Sequence, residues 1–321
     1  MVALRTILKS LYALEQSEGV GARVRRSIGT MQMRNFTPFL MLDHFNVPPE
    51  AGFPDHPHRG QETITLVIKG KLAHEDFTGS KGTLDEGDLQ FMTAGKGVVH
   101  SEMPFSEDGS SIEGMQLWVD LPEELKDCAP RYRDLRAQEI PIAKPNDKVE
   151  VKVISGESYG IGSVKDLAYT PVVYYEYTVQ PGGTFYQELP TDFNSFLYIL
   201  NGSLNINGKE LPEHYCAFFN RDGDAIEGTV PENSKETKFV IIGGQVLNQP
   251  IVQHGPFVAT SKEKIYKAFM DYQYGANGFE RAKGWRSEIA DGVTPELYRS
   301  LSHRQEELAK AQKAQPVKDE L

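Results

Sequence analysis

The stretch "ETITLVIKGKLAHED" (residues 62–76) reads as an apolar strand, a glycine turn and a second strand. Its first half is rich in β-branched residues, and Gly70 supplies the punctuation of a tight connection. The same pattern returns in the other half of the chain as "FLYILNGSLNIN" (196–207), turning at Gly202. The following turns correspond as well, "EGDLQFMTAG" (86–95) with "PEHYCAFFNRDGD" (212–224). A repeated strand-turn-strand unit predicts two similar all-β domains. Many short strands with Gly-rich turns indicate a sandwich or barrel, and a double-sheet jelly roll fits best.

Working outward, strand signals dominate from residue 17 to about 245. The polar, proline-rich stretch "LPEELKDCAPRYRDLRAQEIPIAKPNDK" (121–148) lies between the two repeats. The expected division is therefore a first domain over 1–130, a linker over 131–148 and a second domain over 149–290, with a helical tail over 291–321. Helical spacing is confined to the C-terminal part. "KEKIYKAFMDYQYG" (262–275) carries Ile265, Ala268, Phe269 and Tyr272 on one face, with Gly275 as a stop. "TPELYRSLSHRQEELAKAQKAQ" (294–315) has Thr294 as N-cap and Pro295 at the first helical position. Its last turns are mostly Ala, Gln, Lys and Glu, so it is expected to lie on the surface or project from it.

A length of 321 residues favours two domains, and 39% hydrophobic with 25% charged residues is a globular balance. The net charge of −11 argues against nucleic-acid binding through phosphate contacts, so no direct nucleic-acid partner is expected. The local basic run "ARVRRS" (22–27) reads as a solvated face. No run of 18 apolar residues occurs, which argues against a transmembrane helix. Cys128 and Cys216 stand far apart without a CxxC pattern, which fits a reducing compartment. The final "KDEL" spells an endoplasmic-reticulum address. The opening "MVALRTILKSLYALEQ" is a poor signal peptide, because Arg5 and Lys9 interrupt the apolar run. It reads equally as an organellar presequence or as a first element of the fold.

Two residue pairs carry the chemistry. "FPDHPHRGQET" (53–63) places His56 and His58 two apart, and "GKGVVHSEMP" (95–104) does the same for His100 and Glu102. In a strand, residues i and i+2 point to one face, about 7 Å apart. Two such pairs on facing strands give three imidazoles and a carboxylate, a donor set for Fe(II) first, with Mn, Co, Ni, Cu or Zn as alternatives. Pro57 stiffens its strand and favours an edge position. Glu62 competes for the carboxylate role: by parity it shares the face of His56 and His58, but it could join them only if Gly60 bends the strand. Spacing favours Glu62, whereas adjacency to His100 favours Glu102. Arg59 is expected on the opposite face, toward the rim or solvent.

The second repeat lacks this equipment. Aligning Gly202 with Gly70 puts Glu188 and Pro190 near the place of His58, His214 falls beside a turn and Glu227 stands alone, so no second metal site is expected. His74 is read as a structural hydrogen-bonding residue, and His254 as stabilising a loop between the barrels and the tail.

The strings "EGVGARVRRSIG" (18–29), "FPDHPHRG" (53–60), "AHEDFTG" (73–79), "GDLQFMTAGKGVVHSEMP" (87–104) and "QLWVDLP" (116–122) resemble the pirin family. So do "VISGESYG" (153–160), "QHGPFV" (253–258) and "NGFERAKGWRSEI" (277–289), and the likeness runs from about residue 5 to 290. The resemblance implies an all-β bicupin, two jelly-roll barrels packed face to face, with one iron ion in the N-terminal barrel only. It also implies the ligands His56, His58, His100 and Glu102, which leaves Glu62 as an outer neighbour of the site.

Two functions follow from the resemblance. One is a quercetin 2,3-dioxygenase-type enzyme on a small flavonol-like substrate, with Glu102 taking the substrate's hydroxyl proton. The other is a non-enzymatic, redox-sensitive coregulator that binds transcription-factor proteins. A monomer in cytoplasm and nucleus is the accompanying expectation, with the endoplasmic reticulum as the alternative if "KDEL" is used. The tail is the departure: pirins usually end soon after the segment matching 277–289.

Overall fold

The computed structural model describes residues 3–19, 21–164 and 167–314; the "KDEL" address at 318–321 lies outside them. The chain forms two β-barrels, each from a seven-stranded and a four-stranded antiparallel sheet. In the first barrel the large sheet runs Arg131–Leu135, Leu89–Thr93, Gln61–Lys69, Ile112–Asp120, Phe39–Val47, Ala22–Ile28, Glu15–Glu18. The small sheet runs Phe53–His58, Val98–Phe105, Lys71–Asp76, Lys81–Leu84, which leaves the proline-stiffened strand at the edge. The second barrel repeats this plan, with Phe193–Asn201 and Thr237–Gln245 central in its large sheet and Thr184–Glu188 at the edge of its small one.

Alternation along each strand decides what the barrels share. Ile64, Leu66, Met115 and Leu117 leave the first barrel on one face and meet Phe196, Tyr198, Phe218, Val240 and Ile242 of the second in a single buried cluster. The two seven-stranded sheets therefore pack against each other, and their opposite faces line the two interiors. This is the expected bicupin.

The domain boundaries differ from those expected, because backbone pairing rather than composition sets them. Strand Ile7–Tyr12 pairs with Tyr215–Phe219 and completes the large sheet of the second barrel, so the first domain does not begin at residue 1. The expected linker 131–148 opens with a strand of the first barrel, Arg131–Leu135, and closes with a strand of the second, Ile142–Asn146. The chain after about residue 250 returns to the first barrel rather than staying with the second: Phe257 bridges to Arg59, and Phe279 packs against Gly97.

Helix α1 (Lys262–Tyr274) is capped by the Ser261 hydroxyl and ends at Gly275, whose φ of 65° is the left-handed stop that glycine accommodates. Helix α2 (Pro295–Ala314) is capped by Thr294, whose hydroxyl accepts from the Leu297 amide. Of the two expected arrangements, the first turns of α2 take the one that lies on the surface. Tyr298 stacks on Phe105 at 4.3 Å, Leu301 is buried, and the Gln305 amide reaches Asp134 at 2.7 Å. The apolar positions 298 and 301 lie three apart on one helix face, and that face found a partner on the barrel.

Candidate metal centre

The first barrel turns a corner at Gly60. The chain leaves the small sheet at His58, reverses through Gly60 at φ 77° and enters the large sheet at Gln61. A β-carbon on Gly60 would sit 2.0 Å from the Val258 carbonyl oxygen, so only glycine fits. The corner resets parity. His56 and His58 face inward before it, while Thr65 and Gln61 face inward after it, and Glu62 points out.

On the inner face, His56 lies directly opposite His100 across the antiparallel pair, and Glu102 lies opposite His74 on the other side. His100 and Glu102 share the inward face by ordinary alternation along their strand, and the extra residue of the irregular register lies in the facing strand between Phe53 and His56. The three imidazoles converge, with ring centroids 4.4, 4.9 and 5.0 Å apart and ligand nitrogens all within 4.8 Å. His56 donates Nδ1–H to the Pro54 carbonyl at 2.9 Å, which leaves its Nε2 lone pair facing His100 Nε2 at 3.0 Å. His58 Nε2 and His100 Nδ1 are buried with no partner among the described residues. Glu102 stands beside this triad, its carboxylate 3.9 Å from His100 Nε2. The Thr65 hydroxyl lies 3.3 Å from Glu102 Oε1 and 2.5 Å from Gln116 Oε1.

Burial sets the protonation of these groups. It pushes His58 and His100 well below the ordinary histidine range and lowers His56, so all three offer neutral nitrogens at neutral pH. The same burial pushes the Glu102 carboxyl up to about 7. Converging neutral imidazoles with orphaned buried nitrogens, next to a desolvated carboxyl, fit a divalent transition metal.

The site opens on a cavity of about 710 Å³. Its walls include Phe45, Leu72, Ile112 and Trp118, with His56, His58 and Glu102 among the polar groups. Trp118 also packs edge-on against His58 at 5.1 Å. Arg26 reaches the same cavity and pairs with Asp43 at 2.7 Å and Glu18 at 2.8 Å, so the basic run at 22–27 is only partly a solvated face.

Three sequence expectations are corrected here. Glu62 is not a neighbour of the triad; it accepts from the Tyr169 and Thr170 amides and the Thr93 hydroxyl, fastening the barrel strand to the segment that leads into the second barrel. Arg59 is not at the rim: it is buried, donating to the Lys96 carbonyl and to Asp271 at 2.7 Å, with its guanidinium 4.7 Å above Phe279. The corner at Gly60 accounts for Glu62, and the returning segment around Asp271 and Phe279 covers Arg59. His74 is buried and stacked on Tyr132 at 5.8 Å, with neither ring nitrogen hydrogen-bonded. His254 packs on Phe269 of α1 at 4.9 Å. Gln61, Thr65 and Trp118 were not singled out from the sequence; the alternation Gln61, Thr63, Thr65 and the facing Gln116, Trp118 carried the signal.

Comparison with known proteins agrees with this geometry. The Pirin family model matches residues 21–119, and the model of the Pirin C-terminal cupin domain matches 174–278. A "Pirin-like protein" of Solanum lycopersicum is 45% identical over 287 residues, covering 88% of this chain and 97% of the relative. "Pirin" of Homo sapiens is 43% identical over 297 residues, covering 91% of this chain and the whole of the relative. A crystal structure described as quercetin 2,3-dioxygenase from Acinetobacter baumannii superposes with a TM-score of 0.79 at 30% identity, covering 85% of this chain and 98% of that one. Both barrels, the inward histidines and these likenesses lead to one conclusion: the chain belongs to the pirin family.

Proposed function

We propose that the first barrel holds one Fe(II) ion through His56, His58, His100 and Glu102 and acts as a quercetin 2,3-dioxygenase-type enzyme. The observation that carries this reading is the convergence of three neutral imidazoles on the wall of a large, mostly apolar cavity. The likeness to a structure described as quercetin 2,3-dioxygenase supports it. Bound iron would supply open coordination positions for a chelating substrate and dioxygen.

The residues divide the remaining work. Phe45, Leu72, Ile112 and Trp118 receive a planar aromatic body and exclude water from it. Glu102, a ligand of the ion or displaced from it, takes the substrate's hydroxyl proton at the oxygen turned away from Thr65. The other oxygen stands 3.3 Å from the Thr65 hydroxyl, which Gln116 Oε1 fixes at 2.5 Å. Protein loaded anaerobically with Fe(II) and then given quercetin and air is expected to consume oxygen and release carbon monoxide. Loaded protein that does neither would sink the enzymatic reading.

A further inference from the structure

The three histidines differ in what holds their outer nitrogen. His56 uses a main-chain carbonyl, Pro54, and His100 Nδ1 has no partner. His58 alone meets a side chain: its Nδ1 lies 2.8 Å from the amide of Gln61. We infer that Gln61 is a positioning residue that fixes the tautomer of His58, presenting its amide oxygen to Nδ1–H so that Nε2 keeps a lone pair for the metal. This rests on the metal centre proposed above.

An amide can turn either end toward Nδ1. With the NH₂ there, Nδ1 accepts, the single imidazole proton sits on Nε2, and His58 cannot ligate through that atom. That arrangement also leaves the Gln61 oxygen and His58 Nε2 both buried and unpartnered. With the oxygen there, Nδ1–H has an acceptor, the amide oxygen has a donor, and Nε2 is free. The exchange gives up a 3.5 Å approach of the amide to the Pro256 carbonyl and moves the NH₂ to the buried position that the oxygen held. Outer partners of this kind commonly orient metal-bound histidines.

Gln61 is also built to hold still. It is fully buried, its carbonyl accepts from the Ala94 amide at 2.9 Å, and Lys126 donates to the neighbouring Gly60 carbonyl at 2.9 Å. Trp118 packs edge-on against the His58 ring at 5.1 Å. The ring therefore cannot turn away to find another acceptor without moving the barrel corner.

The test compares full-length wild type, Gln61→Leu and Gln61→Glu by Co(II) titration against a competing chelator. Nitrogen-15 histidine spectra of the chelator-treated wild type read the tautomer directly, before a bound metal can dictate it. Gln61→Leu is expected to weaken Co(II) binding on the order of tenfold or more, while Gln61→Glu, which keeps an acceptor, stays within a few-fold. The spectra are expected to show the His58 proton on Nδ1. A proton on Nε2, or Co(II) bound equally well by wild type and Gln61→Leu, would overturn the role of Gln61 and leave the centre standing. Wild type that binds no Co(II) would overturn the centre and this role with it. If Gln61→Leu does not fold, the wild-type spectra still decide.

Discussion

Corresponding strand pairs in the two barrels face their interiors with different residues. In the first, Phe53–His58 and Val98–Phe105 turn His56, His58, His100 and Glu102 inward. In the second, Thr184–Glu188 and Ala225–Thr229 turn Phe185, Gln187, Ile226 and Gly228 inward. The aromatic residues fill that interior: Phe185 lies 4.6 Å from Phe239, which stacks on Tyr177 at 5.0 Å. The Tyr177 hydroxyl donates to Gln187 at 2.6 Å, so even the polar groups are consumed internally. One scaffold thus serves two ends. Where the strands carry histidine, polar atoms are left for a ligand; where they carry phenylalanine, packing leaves nothing over.

That difference can be broken in order of expected effect. Phe239→Ala should cost the second barrel about 3–5 kcal/mol, read by urea unfolding, because it empties the centre of a stacked aromatic group. A loss under about 1 kcal/mol would mean that this interior is not close-packed. Glu62→Ala should cost about 2–3 kcal/mol by stranding the buried Thr170 amide and the Tyr169 amide. Its metal content should be unchanged; a fall in bound metal with the fold intact would return Glu62 to the ligand set. Thr294→Ala, which removes the cap of α2, should cost about 1 kcal/mol. Because α2 lies on the first barrel, the second should keep its amide-exchange protection in that variant.

Much of this contrast was legible in the sequence. Period-two alternation around Gly70 and Gly202 predicted both barrels, and His56, His58, His100 and Glu102 stand out because paired i, i+2 ligands share a strand face. The site's surroundings were not legible, and Gly60 is the reason. Parity counted through a corner assigns Glu62 inward and Gln61 outward, the reverse of what the turn produces. The partners of Arg59, chiefly Asp271, lie more than two hundred positions away, and no local pattern announces that contact. The exchange of strand Ile7–Tyr12 into the second barrel is equally non-local. In the second repeat, alignment by glycine pointed to Glu188 and Pro190, whereas the inward residues are Phe185 and Gln187.

The central claim is that one barrel binds a divalent metal and the other does not. Anaerobic titration of the chelator-treated protein with Co(II) tests it most directly. The account predicts one tightly bound ion per chain, lost in His58→Ala and retained in Gln187→Ala. Two ions per chain, or one that survives the loss of His58, would contradict it.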